Sequence, residues 1–371
     1  MKNFLLFLIF VPFLISGQQT INGNITHDNI SRSYILYVPA SYNSASPVPL
    51  VFCFHGYTSN SNANFSYTNF KSIADTAGFI VVHPQGTLDN NGSAHWNVGG
   101  WTVGSTVDDV GFTAALLDSI SSNYNINADR VYSTGMSNGG YMSFHLACTL
   151  SDKFAAVASV TGAMTPQTLN VCNPLHPTPI MQIHGTADAT VPYNGSPLWT
   201  MSINDILQYW VGYNNCNSMP TTTAVPNINI TDGSTVEHTV YDGGDNGVNV
   251  EHFKVIGGGH DWPGVWGNQD INASIEVWKF FLRYNLSGLI TSVSEDEVEV
   301  EINCFPNPVS DLFTIKNPTS SNKRVTITNL IGNVVYSGLI SENDKQISLK
   351  HLSPNLYFVK VGDSVFKILK L

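Results

Sequence analysis

The sequence predicts an α/β fold with a mostly parallel sheet and helices on both faces, followed by a small C-terminal β-sandwich. Continuous apolar runs alternate with segments that carry apolar residues at helical spacing, which is typical of parallel strands covered on both faces. One run ends in a Gly-x-Ser-x-Gly turn at residues 135–139 that leads into a helix. Beyond residue 301 the chain changes to short strands separated by turn residues, which favours a sandwich.

Each element of the α/β part has its own signal. Residues 33–38 alternate and end at a proline, which indicates opening antiparallel strands. A helix is expected at residues 70–77, before Gly78, and another at 108–124, where aspartates in the first turn suit the helix dipole. Buried strands are expected at residues 48–54, 79–84, 130–133, 154–161, 179–185 and 250–256, and further helices at 141–150 and 275–286.

The first residues have the pattern of a signal peptide. Lys2 supplies a positive charge, residues 4–15 are apolar, and residues 16–17 are small, which predicts cleavage after residue 17. A membrane anchor is disfavoured because the apolar run is short and is interrupted by Pro12. We therefore expect a secreted protein.

The composition favours an exported protein and disfavours nucleic-acid binding. Only 12% of the 371 residues are charged, about half the usual share, and small polar residues take their place, as in many exported proteins. The net charge is −11 and there is no basic run, so nucleic acid is not expected as a partner. We expect three parts after the signal peptide: a catalytic domain at residues 18–286, an acidic linker at 287–301 and a β-sandwich at 302–371.

The five cysteines are too few for a disulfide scaffold, and no Cys-x-x-Cys spacing indicates zinc. Cys53 lies in an apolar run and is expected to be buried. Cys148 with Cys172 is the first choice for a bridge, which an oxidising compartment permits. Neither a metal nor a cofactor is expected.

The Gly-x-Ser-x-Gly turn is the centre of the predicted site. Ser137 stands between a β-favouring run and a helix, and a turn this tight requires a strained serine and small neighbours. By itself the pattern fits an ordinary turn as well as a nucleophile elbow. The residues downstream decide between these interpretations.

A nucleophilic serine needs a base and a third group that orients the base, in the chain order Ser, Asp or Glu, then His. Asp188 follows a buried strand on a loop, where such sheets place their sites. His260 follows three glycines, on a loop that can fold over the turn. We therefore expect Ser137 as nucleophile, His260 as general base and acid, and Asp188 as the residue that orients His260.

The developing oxyanion needs two backbone N–H donors. We expect them from Asn138, next to the nucleophile, and from Tyr57, at the end of a buried strand. His55 is expected to brace the Tyr57 loop, and Asp108 and Asp109 to cap a helix and support the site. Four further histidines are expected to be structural: His83, His145, His184 and His252.

Aromatic residues near the catalytic loops are candidates for a substrate wall. Trp262, which lies beside His260 in the sequence, is the first choice. Trp96 and Trp101 belong to a glycine-rich loop and are the other candidates. Trp199, Trp210 and Trp278 are expected to be core or loop-anchoring residues.

Five motifs occur in order, at residues 54–57, 108–112, 135–140, 184–188 and 258–264. Together they resemble the secreted polyhydroxybutyrate depolymerase and feruloyl esterase family of α/β-hydrolases. The resemblance implies a carboxylic-ester hydrolase acting on polyester or on phenolic and acetyl esters of plant polysaccharide. It places the family's triad on Ser137, Asp188 and His260.

Two positions depart from the family pattern. No cysteine follows Cys216 before Cys304, which puts the bridge that some members form there in doubt. Tyr57 stands where many members carry cysteine or another residue. Since we expect Tyr57 to act through its backbone, the chemistry is retained.

The tail carries motifs at residues 305–311, 325–332, 356–361 and 367–371. They resemble the C-terminal sorting domain of type-nine secretion in Bacteroidetes, although Asn355 stands where glycine is common. The resemblance implies contact with the outer-membrane secretion machinery and export, often followed by removal of the tail. A carbohydrate-binding sandwich is the alternative, which the lack of tryptophan in the tail disfavours.

The expected function is that of a secreted serine esterase, a feruloyl or acetyl-xylan esterase acting on plant polysaccharide outside the cell or at its surface. A polyhydroxyalkanoate or polyester depolymerase is the alternative. Two other classes stay open: a serine peptidase, which would need a lid or propeller domain, and a polysaccharide-binding protein without catalysis. A monomer is expected.

Overall fold

The computed structural model describes residues 18–102, 104–290, 303–316, 323–329, 333–340, 345–361 and 364–371. The predicted signal peptide lies outside the described residues, as does the predicted linker from residue 291 onward. The chain divides into two compact units, residues 1–290 and 291–371, and each is described by itself.

The first unit alternates strands and helices. Its strands are β1 (Gln19–His27), β2 (Ile30–Val38), β3 (Val48–Phe54), β4 (Ile80–Pro84), β5 (Thr87–Leu88), β6 (Ala94–His95), β7 (Ile126–Met136), β8 (Ala156–Val160), β9 (Ile180–Gly185), β10 (Thr221–Ala224), β11 (Thr235–Tyr241), β12 (Val250–Ile256), β13 (Tyr284–Asn285) and β14 (Gly288–Leu289). Its helices are α1 (Ser61–Thr68), α2 (Phe70–Ala77), α3 (Asp109–Asn123), α4 (Asn138–Thr149), α5 (Pro166–Asn170), α6 (Ile203–Tyr213) and α7 (Ala273–Phe281).

Most of these strands form one sheet, in the order β1-β2-β4-β3-β7-β8-β9-β12-β11-β10. The strands from β4 to β12 in this order pair in parallel, and the outer strands pair antiparallel. The mostly parallel sheet of the predicted fold class is therefore confirmed.

The central strands of the sheet are buried on both faces, and β3 shows why such a strand is continuously apolar in sequence. Successive side chains of a strand point to opposite faces. Leu50, Phe52 and Phe54 accordingly pack into one core cluster, whereas Val51 and Cys53 pack into the other. A strand that contributes to two cores cannot alternate between apolar and polar residues.

Several helices are positioned by their ends. α2 spans Phe70–Ala77 as predicted, and Gly78 closes it in the left-handed region (φ 73°). Asp108 caps α3 by accepting a hydrogen bond from the Gly111 N–H (2.8 Å). The helix dipole favours this carboxylate at the N-terminus, so the predicted capping role is borne out by the geometry.

Some elements were not expected, among them α1, α6, β10 and β11. α1 is polar and has no apolar stripe; it is capped by Asn60, whose Oδ1 accepts from the Ala63 N–H (2.9 Å). α6 does carry a stripe at helical spacing, formed by Ile203, Ile206, Leu207, Trp210 and Val211. This periodicity is the signal that would have predicted α6.

The second unit is an antiparallel β-sandwich. Its strands are β15 (Asn303–Phe305), β16 (Leu312–Lys316), β17 (Lys323–Asn329), β18 (Val334–Ile340), β19 (Lys345–Ser348), β20 (Asn355–Val361) and β21 (Ser364–Lys370). They form the sheets β15-β16-β19 and β18-β17-β20-β21. Residues from both sheets, such as Phe313, Ile315, Ile327 and Val359, share one buried core, as the predicted fold class requires.

Cys148 at the end of α4 is bridged to Cys172 after α5, which confirms the first choice of pairing. Cys53 and Cys216 are free. None of the helices in the described ranges is long and apolar enough to cross a bilayer.

Opening this bridge should destabilise the first unit. The bridge joins residues 24 apart in the sequence, and a loop of that length predicts a loss of about 3 kcal/mol. Urea unfolding followed by tryptophan fluorescence should give a lower midpoint for a Cys148→Ser/Cys172→Ser variant, with no further effect of a reductant. Cys216→Ser is the matched control. Equal midpoints for the double variant and the wild type would contradict the expectation.

Candidate active site

The predicted nucleophile lies on a strained turn. β7 ends at Met136, α4 begins at Asn138, and Ser137 between them has φ 53° and ψ −120°. A non-glycine residue in this region is strained by about 1–3 kcal/mol and persists only where its surroundings impose it. The Ser137 N–H donates to Val160 O (2.8 Å), which ties the turn to the end of β8.

Two glycines allow this turn to approach β3. A Cβ on Gly139 would lie 2.1 Å from Phe54 O, and one on Gly135 would lie 2.6 Å from the same oxygen. Both distances are far shorter than a van der Waals contact, so any larger residue would push the helix away from the strand. The Gly-x-Ser-x-Gly pattern therefore has a steric cause here.

Asp188 lies on the loop after β9 and is surrounded by donors. Its Oδ1 accepts from the N–H groups of Thr190 and Val191 (2.8 Å each). Its Oδ2 is 2.7 Å from His260 Nδ1 and 3.4 Å from His184 Nε2. Burial alone would raise the pKa of Asp188, but the hydrogen bonds from His184 and His260 outweigh it and hold this pKa well below its usual range.

His260 connects Asp188 to the cavity that Ser137 faces. Since Nδ1 donates to the carboxylate, Nε2 is the nitrogen that remains free to accept a proton. The side chain is 22% exposed, whereas that of Asp188 is fully buried. Ser137 and His260 both line a cavity of about 470 Å³, together with Gly56, Tyr57, Tyr67 and Trp266.

The loop after β3 lies directly against the nucleophile. A Cβ on Gly56 would be 3.4 Å from Ser137 Cβ and 4.0 Å from its Oγ. In the described part of the chain, no acceptor is paired with the backbone N–H of Tyr57 or of Asn138. These two donors are therefore available beside Ser137.

Side chains behind both donors are fixed by hydrogen bonds. The Asn138 amide accepts from the Trp96 N–H (2.7 Å) and donates to Trp96 O (3.1 Å). His55 donates through Nδ1 to Gly56 O (2.7 Å) and accepts through Nε2 from the Gly86 N–H (2.9 Å). Burial lowers the pKa of His55 to about 4, so it braces the loop as a neutral residue, in the role expected for it.

A buried ion pair supports the loop that carries Trp96. Arg32 is 2.6 Å from Asp109 Oδ1, and both side chains are almost fully buried. The other oxygen of Asp109 accepts from the Asn97 N–H (2.7 Å). Asp109 thus ties α3 to this loop, which is the supporting role expected for it.

Two of the three tryptophans predicted to form a substrate wall, Trp96 and Trp262, do not line the cavity. Trp262 is completely buried: its Nε1 donates to Ser274 Oγ (3.1 Å) and its ring contacts Tyr67 (5.7 Å between centroids). Trp96 is also fully buried and donates to His55 O (2.9 Å). The substrate-wall assignment of both residues is corrected, because an indole whose N–H has an internal partner can be buried whole.

The rings that do line the cavity are Tyr57, Tyr67 and Trp266. Trp266 is 46% exposed and its centroid lies 5.0 Å from that of Tyr67. Trp101 stands behind Tyr57, edge to face at 5.5 Å, and supports the wall without being among its lining residues. The sequence indicated the loop that carries Trp266, but not that the Trp266 side chain is exposed. Tyr67 was missed because helix α1, which carries it, was not predicted.

Two family models match parts of this chain. Residues 32–173 match the model of the esterase PHB depolymerase family, and residues 303–370 match that of the secretion system C-terminal sorting domain. The resemblance drawn from the motifs is therefore confirmed. The second match supports the predicted location outside the cell or at its surface.

Two similar curated proteins are esterases by name. The bifunctional acetylxylan esterase/xylanase XynS20E of Neocallimastix patriciarum is 28% identical over 277 residues, covering 74% of this chain and 36% of that protein. Feruloyl esterase B of Piromyces equi is 28% identical over 239 residues, covering 62% and 42%. The chain thus spans less than half the length of these two relatives.

A solved structure supports the fold. The acetyl xylan esterase from Aspergillus awamori superimposes with a TM-score of 0.50 and 18% identity, over 72% of this chain and 99% of that one. At this identity the similarity concerns the fold, which is that of an α/β-hydrolase.

The two indoles on the His260 loop should respond differently to removal. Trp262→Ala should lower the free energy of unfolding by about 3–5 kcal/mol, because it empties a buried site. Trp266→Ala, on an exposed ring, should change it by less than about 1 kcal/mol. Urea unfolding measures both, and equal losses would contradict the assignment.

Asp188 should contribute stability that depends on pH. Its folded pKa lies below an unfolded value of about 3.9, so the contribution is complete above that value and is lost as the pH falls below it. The unfolding free energies of the wild type and Asp188→Asn should therefore differ most near neutrality and converge on acidification. A difference that stays constant down to about pH 3 would contradict this expectation.

Proposed function

We propose that this protein is a secreted serine carboxylic-ester hydrolase in which Ser137, His260 and Asp188 form the catalytic triad. The observation that carries the proposal is the joint geometry of the site. A strained serine and a histidine bonded to a buried carboxylate line the same cavity. The required chain order of nucleophile, acid and base is present as well.

The reaction follows from these positions. Ser137 Oγ attacks the ester carbonyl carbon while His260 Nε2 takes the hydroxyl proton. Asp188 stays ionised, as its lowered pKa requires, and stabilises the imidazolium that forms. The backbone N–H groups of Tyr57 and Asn138 would bind the oxygen that becomes negative.

Collapse of this intermediate completes the first half of the reaction. The C–O bond to the alcohol breaks, and His260 gives its proton to the departing alcohol oxygen, which leaves an acyl group on Ser137. Water then repeats the attack with His260 as base, and the carboxylic acid and free serine are released. Each half uses the same oxyanion donors, so no further group is required.

The proposed substrates are feruloyl or acetyl esters of plant polysaccharide. The names of the two curated relatives support this substrate class. The aromatic lining of the cavity supports it too, since Tyr57, Tyr67 and Trp266 offer ring faces and edges to a planar acyl group or a sugar. The proposed partner beyond the substrate is the outer-membrane secretion machinery, through the C-terminal unit.

A polyester depolymerase is the second candidate. The family model that matches residues 32–173 carries the name of polyhydroxybutyrate depolymerase, and the half-exposed Trp266 offers an apolar contact at the cavity. Methyl ferulate, acetylated xylan and polyhydroxybutyrate film, assayed side by side, separate the candidates. Release of ferulate or acetate supports the first, and release of hydroxybutyrate supports the second.

Ser137→Ala should abolish ester hydrolysis, with a loss on the order of 10⁶ in kcat, because no other group replaces the nucleophile. The measurement is hydrolysis of p-nitrophenyl acetate, together with labelling of the wild type by a fluorophosphonate. Ser121→Ala, on the exposed surface of α3, is the matched control. Full activity of the Ser137 variant, or peptide release from casein by a wild type that hydrolyses no ester, would refute the proposal.

A further inference from the structure

Two buried histidines behind the acid loop have no part in the reaction described above. His184 lies on β9 and His252 on the neighbouring parallel strand β12, and their exposures are only 0% and 3%. Burying an imidazole is unfavourable unless its nitrogens have partners. Here each ring nitrogen has a hydrogen-bond partner. Two of these partners, Val191 and Tyr193, belong to the loop that carries Asp188.

Gln182 fixes the tautomer of His184. Gly162 O lies 3.0 Å from Gln182 Nε2, and because a carbonyl oxygen only accepts, this atom is the amide nitrogen. The same nitrogen lies 3.0 Å from His184 Nδ1, which must then be an acceptor. His184 therefore carries its proton on Nε2, which donates to Val191 O at 2.9 Å and lies 3.4 Å from Asp188 Oδ2.

His252 is held in the opposite tautomer. Its Nδ1 faces the backbone carbonyl of Gln182 at 2.9 Å and donates to it. Its Nε2 then accepts from the hydroxyl of Tyr193 at 2.9 Å. Burial lowers the pKa of His252 to about 3, so this link stays neutral in ordinary assay conditions.

These bonds connect the acid loop to the segment behind the nucleophile. Val191 is held on both sides, since its N–H donates to Asp188 Oδ1 and its carbonyl accepts from His184. At the other end, Gly162 is packed so closely that a Cβ on it would lie 2.7 Å from Ser137 O. One continuous chain of contacts therefore runs from Ser137 to Asp188.

We propose that Gln182, His184 and His252 are positioning residues, whose neutral hydrogen-bonded frame sets the place of Asp188 relative to Ser137. This inference rests on the proposed function, because the frame acts on that triad. Gln182 Oε1 is buried and has no hydrogen-bond partner among the described residues. The amide nitrogen of Gln182 therefore makes its side-chain contacts within the frame, to Gly162 O and to His184 Nδ1.

The test is the split between kcat and KM for p-nitrophenyl acetate. His184→Phe keeps an aromatic ring and removes the Nε2–H donor, so kcat should fall about 10- to 100-fold through misplacement of Asp188, while KM stays within about twofold. His184→Gln, whose amide nitrogen can replace Nε2 as donor, should recover most of the loss. His145→Gln is the matched control, since the His145 ring bonds to Thr168 on α5 and, among the described residues, not to the acid loop.

A second variant keeps the proposal testable if His184→Phe does not fold. Tyr193→Phe removes the hydroxyl donor to His252 on a partly exposed side chain, and should lower kcat about 3- to 10-fold with a similar KM. Wild-type kcat in Tyr193→Phe, and in His184→Phe where that variant folds, would overturn the proposal, even if the variants melted earlier. The proposed function fails separately, when the wild type hydrolyses no ester or Ser137→Ala remains active.

Discussion

The close packing of the turn around Ser137 is the constraint on which the site depends. Ser137 has φ 53°, a conformation that an isolated chain would leave at once. It is kept there because the turn is enclosed by β3 through Gly139, by β8 through the Val160 carbonyl, and by Gly162. Loss of any of these contacts would let the turn relax and withdraw the hydroxyl from the cavity.

Burial and position distinguish the histidines of this fold. Burial lowers the pKa of His83 and His252 to about 3, and that of His55 and His145 to about 4, so these four are neutral braces. His260 and His238 are both partly exposed and bonded to a buried carboxylate, but only His260 is among the residues that line the cavity with Ser137. The position of His260 beside Ser137, and not exposure alone, therefore makes it the candidate base of the proposed reaction.

Much of this could be predicted from the sequence, where local sterics decide the outcome. The turn at Ser137, the end of α2 at Gly78 and the cap of α3 at Asp108 each follow from what one or two residues permit. The order of Ser137, Asp188 and His260 along the chain was informative because parallel strands bring their carboxyl ends to one edge. The pairing of Cys148 with Cys172 was predicted as well.

Other features could not be predicted because they depend on tertiary burial. Trp262 and Trp266 lie four residues apart on one loop, yet within the described residues only the N–H of Trp262 has an internal partner. The frame formed by Gln182 with two histidines was missed for a related reason. Its partners, Val191 and Tyr193, become neighbours only once the loop has folded back over β9 and β12.

Chemistry and selectivity therefore have different origins in this molecule. The reacting groups are fixed by short motifs whose backbone has almost no freedom, which is why they can be recognised from residue types alone. The cavity wall is completed by Tyr67 on the polar helix α1 and by Trp266 on a loop, and neither element has a strong sequence pattern. Their ring centroids are 5.0 Å apart, so the two segments form one continuous aromatic wall. In the proposed esterase, the choice among feruloyl, acetyl and hydroxybutyrate esters would depend on these two segments and not on Ser137, Asp188 and His260.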